Sequence, residues 1–240
     1  MMPVKTTRIY DNIPAITIFF SQIYKEYRDK ILDKVFNKMI IKAWMKYREI
    51  EIIKEILKHL QPQKCLEWGT GYGTIYFPIF VNENSKWISI EHEKDWSKKI
   101  ENINQNSNVE IFHIPPNHFP WTDKYGDGAY SDLRDYVEFP SKFGNFDFIL
   151  VDGRARKDCL IKAYRLIKNE GVVTLHDANR NYYHESFGLY KYHVLFKDYC
   201  KEAGGLWVGS KGINIKDVLN VDKHRKLWQI YNKIGKMLRV

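Results

Sequence analysis

Two apolar segments of the 240-residue sequence have the length of buried β-strands, and each is followed by charged side chains. Strands predicted at 146–152 and 171–176 end in Asp152 and His176, and Asp177 comes next. If these strands are neighbours in a parallel sheet, about 4.8 Å apart, the two carboxylates lie close together at one edge. Like charges at that distance repel unless a cation or a proton separates them. We therefore predict a catalytic centre that contains Asp152, Asp177 and His176.

Three arrangements would satisfy the two carboxylates. They could bind a divalent cation, because Asp152, Asp177 and Asn179 supply the oxygen ligands that Mg²⁺ or Mn²⁺ prefers. One of them, or His176, could be the general base that takes the proton of an acceptor hydroxyl. Nearby arginines could instead hold both groups. The alternative weighed equally with a metal site makes Asp152 an acid of the cofactor site and Asp177 a helix N-cap before residues 178–183.

Arginine and tyrosine side chains follow the same two strands. Guanidinium groups hold a carboxylate or phosphate through paired hydrogen bonds, so these arginines could bind an acidic group of an acceptor. The tyrosines could stack on a sugar or a base, although each could equally be part of the core. The acceptor-binding residues that we predict are Arg154, Arg156, Arg180, Tyr182 and Tyr183.

A glycine-rich segment, LEWGTGYGT, follows the first predicted strand. Glycine lets the backbone turn tightly and approach a ligand, and open α/β sheets bind ligands at the carboxyl ends of their strands. Glu91, at the end of the second strand, could accept both hydroxyl hydrogens of a ribose. A dinucleotide-binding site needs Gly or Ala where this chain has Thr74. It also has no acidic residue ahead of its glycines, whereas Glu67 lies two positions before Gly69.

The acidic-x-Gly-x-Gly arrangement resembles the first motif of class I methyltransferases that use S-adenosylmethionine (SAM). Over residues 62–183 the chain resembles a branch of that class known from bacterial and archaeal polysaccharide gene neighbourhoods, and more distantly the plant glucuronoxylan 4-O-methyltransferases. The resemblance rests on LEWGTGYGT, GDGAYSDLRDYVEFP, FDFILVDGRARKDCLIKAYRLIKNEG and LHDANRNYY. It implies O-methylation of a sugar hydroxyl, with a uronic acid among the candidate acceptors and a divalent metal required in some members.

Carried over by position, the resemblance implies that Glu67, Gly69, Gly71 and Glu91 bind SAM, that Asp152 and Asp177 are catalytic or bind metal, and that the three arginines face the acceptor. We also predict that four further residues beside this site contribute to cofactor binding: Thr70, His92, His113 and Asp152. One departure concerns Ala178, which stands where relatives often carry a bulky aromatic residue.

Strands and helices alternate after Pro62, which predicts a doubly wound α/β fold with a mostly parallel, seven-stranded sheet. The last two strands form an antiparallel hairpin at the sheet edge. The connection 115–144 is long enough to favour a functional role. The predicted strands are 64–68, 86–91, 108–114, 146–152, 171–176, 192–199 and 205–210, and helices are predicted at 94–104 and 157–168.

We divide the chain into an N-terminal helical segment (1–61), a methyltransferase domain (62–212) and a basic C-terminal segment (213–240). In the first, Ile23, Tyr27, Ile31, Val35 and Met39 recur at four-residue spacing, which predicts a helix that packs on the core or also caps the active site. In the last, an amphipathic helix at 222–240 could lie on an anionic membrane, pack on its own domain or contact a second copy in a homo-oligomer.

The net charge of +9 favours an acidic partner such as nucleic acid, an anionic sugar or a membrane surface. Three cysteines without a CxxC pair indicate neither a disulfide framework nor a zinc site. No apolar segment reaches the roughly 20 residues of a membrane span, so we expect a cytoplasmic enzyme, peripheral at most to the inner membrane face. Its expected acceptor is a glycan, with anionic and lipid-linked forms included. The alternatives are an acceptor such as RNA and a cofactor-binding protein without turnover.

Overall fold

The computed structural model describes residues 13–36, 41–200, 203–235 and 237. Its strands are β1 (Lys64–Trp68), β2 (Lys86–Glu91), β3 (Val109–His113), β4 (Phe146–Val151), β5 (Ile167–His176), β6 (Tyr192–Phe196) and β7 (Leu206–Ser210). Its α-helices are α1 (Ala15–Phe36), α2 (Tyr47–Leu60), α3 (Tyr72–Tyr76), α4 (Lys94–Ile103), α5 (Arg134–Glu138), α6 (Arg156–Leu166), α7 (Ile215–Val218) and α8 (Val221–Ile230). Short 3₁₀ segments are Phe77–Phe80, Phe139–Phe143 and Asn181–Leu189.

The strands form one sheet in the order β3-β2-β1-β4-β5-β7-β6. The first five strands are parallel, and β7 is antiparallel to both β5 and β6. Between β1 and β4 the strand order reverses, and sheets of this kind bind ligands there, outside the carboxyl ends of the strands. The predicted doubly wound, mostly parallel sheet is confirmed, and so are the neighbouring positions of β4 and β5 and the antiparallel hairpin at the edge.

Apolar clusters cover both faces of the sheet. One contains Trp68, Tyr136 and Trp207 with residues of α5 and α6. The other contains Trp87 and Phe148 with residues of α2, α7 and α8. Successive strand residues point to opposite faces, so each strand contributes to both clusters. This packing on α2 brings the start of that helix to the carboxyl ends of β4 and β5.

The apolar positions that the four-residue spacing singled out in α1 are mostly not the ones that pack. Tyr27, Ile31 and Val35 are 46%, 52% and 70% exposed, whereas Phe19 is fully buried. Helix α1 is apolar on two faces, and the spacing alone does not tell which face meets the core. Met39, the last residue of the predicted pattern, lies outside the described residues.

The C-terminal helix packs on its own chain. Leu227, Trp228 and Tyr231 are buried, and the rings of Tyr231 and Phe19 lie 4.7 Å apart. Helix α8 continues into a π-helical turn at Tyr231–Gly235, and residues 236 and 238–240 of the predicted helix lie outside the described residues. Much of the apolar face that we considered for membrane contact is therefore covered by α1 and the core. No helix in the described ranges has both the length and the apolar character of a membrane span.

The long connection after β3 is ordered by two carboxylates. Asp132 accepts hydrogen bonds from the backbone N–H groups of Thr122 and Ala129. Asp123 accepts from the N–H groups of Tyr125 and Gly128. These bonds fold the segment over the carboxyl edge of the sheet. There the backbone carbonyl of Asp127 accepts from the N–H of Ala155, at the start of α6.

Candidate active site

The glycine-rich loop after β1 crosses the loop after β4 at very close range. Gly69 has a φ of +97°, and a Cβ placed on it would lie 2.5 Å from the backbone of Gly153. The N–H of Asp152 donates to the carbonyl of Trp68 over 2.8 Å. Only glycine combines that φ with that contact. The crossing therefore places Asp152 directly beside the glycine loop, as the sequence predicts.

Glu67 lies under this loop. It is only 1% exposed, and its Oε2 accepts from Trp87 Nε1 at 2.8 Å and Ser89 Oγ at 3.3 Å. Burial raises the pKa of Glu67 to about 8, although these hydrogen bonds lower it. Gly73 lies close to this buried carboxylate. A Cβ at position 73 would lie only 2.9 Å from Glu67 Oε1, so the position favours glycine. Glu67 thus supports the loop from below. Its Oε2 is bonded to Trp87 and Ser89, so this oxygen does not make the predicted direct contact with the cofactor.

Glu91, which we predict to bind a ribose, ends β2 with one carboxylate oxygen held by backbone N–H groups. The backbone N–H groups of His92 and Glu93 both donate to Glu91 Oε1 at 2.9 Å. Within the described chain these bonds end on Oε1, so Oε2 is left for a ligand. His113 pairs with Glu91 across β2 and β3 and ends its strand at the same edge. The ring of His92 lies beside Trp121, with centroids 5.8 Å apart.

The segment before α2 covers the glycine loop. Trp44 is 70% exposed, and its ring centroid lies 5.1 Å from those of both Tyr72 and Trp96. Trp96 Nε1 donates to the carbonyl of Thr70, whose hydroxyl bonds with Ser89 Oγ at 2.8 Å. The side chain of Thr70 therefore points into the protein, and a ligand would meet its backbone. The N-terminal segment thus contacts residues beside the glycine loop through Trp44, and its role in capping the active site stays a prediction.

His176 joins two carboxylates at the carboxyl ends of β4 and β5. Its Nδ1 lies 2.8 Å from Asp152 Oδ1, and its Nε2 lies 3.5 Å from Oε2 of Glu49 in α2. Burial lowers the pKa of His176, but the charge of Asp152 and the bonds with Asp152 and Glu49 outweigh burial and hold the pKa well above its ordinary value. The neighbouring carboxylates therefore favour the protonated ring of His176, which in that form cannot accept a proton.

Arg156 bridges the two predicted catalytic acids. Its guanidinium lies 3.3 Å from Asp152 Oδ1 and 3.3 Å from Asp177 Oδ2, and it also donates to the carbonyls of Gly153 and His176. The buried guanidinium of Arg156 is thus directed to groups of its own chain, and the acceptor contact predicted for it stays a prediction. Burial raises the pKa of Asp177, but the charges of His176 and Arg156 outweigh it and lower the pKa to about 2.

The carboxylates at this centre do not fit a divalent cation. Among the described residues no group of three or more His, Cys, Asp or Glu side chains could hold a metal ion. An imidazolium and a guanidinium already neutralise Asp152 and Asp177. The third oxygen of the predicted set, that of Asn179, accepts from the N–H of Asp198 in the buried interior. Both carboxylates are therefore satisfied by side chains of the protein, and the predicted metal site at Asp152 and Asp177 is not supported among the described residues.

The N-cap interpretation of Asp177 is wrong as well. Asp177 has a φ of +56°, and its Oδ1 accepts from the N–H of Gly204 at 2.7 Å. The next helical segment begins only at Asn181, with Arg180 at its N-cap position. Asp177 thus holds the β5 turn against the loop before β7, where it positions the neighbouring His176.

The two remaining arginines lie at the rim. Arg180 is half-buried and lies 3.7 Å from Asp177 Oδ2 and 3.8 Å from Asp127 Oδ1. Arg154 is half-buried and makes no ion pair within the described part of the chain, so it remains a candidate for an acceptor contact. Tyr183, by contrast, is fully buried and donates to Asp127 Oδ2 at 3.1 Å. The ring of Tyr183 belongs to the core, and its predicted stacking on an acceptor stays a prediction.

A cavity of about 410 Å³ opens beside the start of α6. The rings of Tyr125 and Tyr182 are stacked at its wall, 3.9 Å apart and 7° from parallel. Its only cationic side chain is Lys157, which is paired with Glu185 at 2.7 Å. The carboxylates and amide that line it are Asp123, Asp127, Asp158, Asn181 and Glu185. The cavity is thus lined by hydrogen-bond acceptors and an aromatic platform.

Three residues of this centre have no role in the predictions from the sequence. Glu49 reaches His176 from a helix 127 residues earlier in the chain, and no local pattern marks it. Asp127 and Tyr125 belong to the segment GDGAYSDLRDYVEFP or directly precede it, so the unusual length and composition of that loop were the available signal.

The similarity of this chain to proteins of known structure concerns the fold alone. No family and no curated protein matches this sequence. An O-methyltransferase from Bacillus cereus in complex with SAH aligns with a TM-score of 0.53 at 14% identity, covering 82% of this chain and 98% of that one. The O-methyltransferase TomG from Streptomyces achromogenes, in complex with SAM, aligns with a TM-score of 0.50 at 14% identity, covering 83% and 97%.

A spermidine synthase in complex with the transition state analogue AdoDATO aligns with a TM-score of 0.49 at 16% identity. That alignment covers 75% of this chain, which spans only 64% of the synthase. The two alignments with O-methyltransferases cover nearly the whole of each neighbour. From the strand order and the alignments with these two O-methyltransferases, the chain has the seven-stranded, Rossmann-like fold of SAM-dependent methyltransferases.

Proposed function

We propose that this chain is a SAM-dependent O-methyltransferase that acts on a sugar hydroxyl. The observation that carries the proposal is the position of Asp152. Its backbone is bonded to the glycine loop at Trp68, and its carboxylate is bonded to His176. One residue therefore links the predicted cofactor loop to a charged centre, at the point of the sheet where ligands of this fold bind.

The cofactor would supply an electrophilic methyl group, which the acceptor oxygen attacks as the bond from carbon to sulfur breaks. Gly69 and Gly71 would let the backbone approach the cofactor, and Glu91 Oε2 would be placed to accept a hydrogen bond from its ribose. The acceptor hydroxyl must lose its proton, and a carboxylate within hydrogen-bond reach can take it. Asp152 fits this role, because its side chain is 25% exposed whereas Glu49 is buried.

His176 positions Asp152 in this account and does not act as the base. As an imidazolium it donates to Asp152 Oδ1, which leaves Oδ2 for the acceptor hydroxyl. Glu49 and Asp177 keep the imidazolium charged. Arg156 donates to the backbone carbonyls of Gly153 and His176 and so fixes the two loops that carry these groups. The sequence alone allows His176 to be the general base. In this proposal His176 instead orients the carboxylate of Asp152, which is the base.

The cavity lining supports an uncharged glycan as the acceptor. Sugar hydroxyls donate to carboxylates and amides, and the flat tyrosine pair offers an apolar surface for a sugar ring. An anionic acceptor such as RNA or a uronic acid would be repelled by the carboxylates of Asp123, Asp127 and Asp158. At the rim, Arg154 makes no ion pair within the described residues and remains a candidate for contact with an acidic group.

A methyl-transfer assay tests this proposal. Labelled SAM is incubated with neutral, uronic-acid and amino-sugar oligosaccharides and with RNA, using the wild type and the Asp152→Asn variant. We expect label in a neutral oligosaccharide and a loss of about 100-fold or more in the variant. Transfer to RNA but to no oligosaccharide would contradict the acceptor class. Equal rates for wild type and variant would contradict the role of Asp152.

A further inference from the structure

Helix α1 carries an apolar stripe on the face opposite its buried residues. The members are spaced three or four positions apart and are at least 41% exposed: Ile16, Phe20, Tyr24, Tyr27, Ile31 and Val35. At 3.6 residues per turn they fall within an arc of about 100° and run along about five turns of the helix. Monomeric proteins rarely expose an apolar patch of this extent without a binding function.

The opposite face anchors the helix, so the stripe is not a consequence of loose packing. Phe19 is buried against Tyr231, whose hydroxyl donates to Gln22 Oε1 at 3.0 Å. Asp29 Oδ2 accepts from the hydroxyl of Tyr47 at 2.5 Å. Contacts from α2 and α8 thus fix the orientation of α1, and the stripe is held outward.

Basic residues border the stripe on both sides. By helical position Arg28 lies along one border, and Lys30 and Lys34 lie along the other. The acidic residues of α1 fall on the other half of the helix, where Glu26 accepts from the N–H of Tyr47 and Asp29 from its hydroxyl. Arg28 is paired with Asp29 at 2.8 Å, so the positive charge beside the apolar stripe comes mainly from Lys30 and Lys34, in a chain with a net charge of +9.

This charge pattern decides between two occupants. A second copy docking through the same face would bring the basic borders of both helices together, and like charges at close range are destabilising. An anionic lipid surface supplies the opposite charge, and aromatic side chains such as Phe20, Tyr24 and Tyr27 favour the level of the headgroups. We propose that α1 docks the protein on the surface of an anionic lipid bilayer, with the helix lying in the plane of the interface.

Vesicle co-sedimentation of the full-length protein tests the proposal. The probes are phosphatidylcholine vesicles with and without about 30% phosphatidylglycerol, in a buffer of low ionic strength. The variant Phe20→Glu/Ile31→Glu removes two apolar anchors, and Ile79→Glu/Leu189→Glu adds the same charges at exposed apolar residues elsewhere. We expect wild type to bind the anionic vesicles, the stripe variant to bind at least about tenfold more weakly, and the control to bind within about twofold.

A second variant, Lys30→Glu/Lys34→Glu, leaves the apolar stripe intact and should reduce both the affinity and its dependence on salt. Thermal melting of each variant shows that it is folded. The proposal is overturned if wild type does not sediment with anionic vesicles, or if the stripe and control variants bind alike. It is also overturned if wild type is a dimer that only the stripe variant dissociates, with vesicle binding unchanged.

Discussion

His176 Nδ1 and Asp152 Oδ1 lie 2.8 Å apart, across the gap between two neighbouring strands. The carboxylate of Glu49, from a helix on one face of the sheet, approaches the other ring nitrogen. This arrangement surrounds one imidazolium with carboxylates and keeps it charged. The centre thus depends on a contact between the N-terminal helices and the sheet, which gives the N-terminal segment a direct part in the chemistry that we propose.

Glu49→Gln tests that contact. Without this carboxylate the pKa of His176 should fall, because a charge and a hydrogen bond that raise it are weakened. We expect kcat to fall about tenfold at pH 8, with the alkaline limb of its pH profile moved to lower pH. Glu51→Gln, on the same helix and paired with Lys54, should leave the profile unchanged. Identical profiles for both variants and wild type would remove Glu49 from the mechanism.

Two glycines of the same loop should respond differently to alanine. At Gly69 a Cβ would meet the backbone of Gly153 at 2.5 Å, so Gly69→Ala should destabilise the protein by about 2–4 kcal/mol. At Gly71 a Cβ has nothing within 4 Å, so Gly71→Ala should fold normally. If SAM lies over the loop, Gly71→Ala should weaken SAH binding about tenfold. Urea denaturation and calorimetry measure the two effects, and unchanged SAH affinity in Gly71→Ala would argue against the placement of the cofactor.

Arg156 and Arg154 provide a matched pair for stability. Arg156→Met leaves the carboxylates of Asp152 and Asp177 without their bridge and should cost about 3–5 kcal/mol in the free energy of unfolding. Arg154→Met removes a rim side chain and should change stability by less than about 1 kcal/mol. Urea titration at pH 7 distinguishes the two. Comparable losses in both variants would contradict the buried bridge.

Glu67 should make stability depend on pH. Its pKa is raised from 4.5 to about 8 in the folded protein, so the native state binds more protons than the unfolded state between those values. The free energy of unfolding should therefore fall as the pH rises from 4.5 toward 8. Glu67→Gln should flatten this slope and leave the protein more stable than wild type at pH 8. The exposed Glu110→Gln should keep the wild-type slope, and a shared slope in all three proteins would refute the assignment.

The cavity predicts a separate effect on the acceptor. Tyr182→Ala removes one half of the stacked pair with Tyr125 and should raise the KM for a glycan about tenfold without changing SAH affinity. Tyr164→Ala, a tyrosine stacked edge-on against Tyr190 away from the cavity lining, serves as the comparison. Equal KM values for the two variants would indicate that the acceptor binds elsewhere.

The sheet was predictable because periodicity and turn residues are local signals. Strands β1, β2 and β4 begin and end within a residue of their predicted bounds, and the edge hairpin follows from its turn. Strand β5 begins four residues earlier than predicted, at Ile167, because the polar residues 168–170 extend it beyond its buried part. Strand pairing in the sheet produces this extension, and the pattern of apolar residues gives no sign of it.

Individual side chains of the site were less predictable, because one position along the chain changes what a side chain faces. Tyr182 lines the cavity, whereas Tyr183 is in the core. Arg156 turns under the sheet edge after Ala155 adopts a φ of +45°, whereas Arg154 remains at the rim. Glu49 depends on the tertiary packing of α2. Such choices are made by contacts distant in sequence, which spacing alone does not contain.

The central claim is that the carboxyl edge of β1 and β2 binds SAM. Calorimetric titration with SAH measures this directly, with Glu91→Ala as the test variant and the exposed Glu110→Ala as its control. We predict micromolar binding by wild type and by Glu110→Ala, and at least about tenfold weaker binding by Glu91→Ala. No heat of binding with wild type, or equal affinity in Glu91→Ala, would contradict the account.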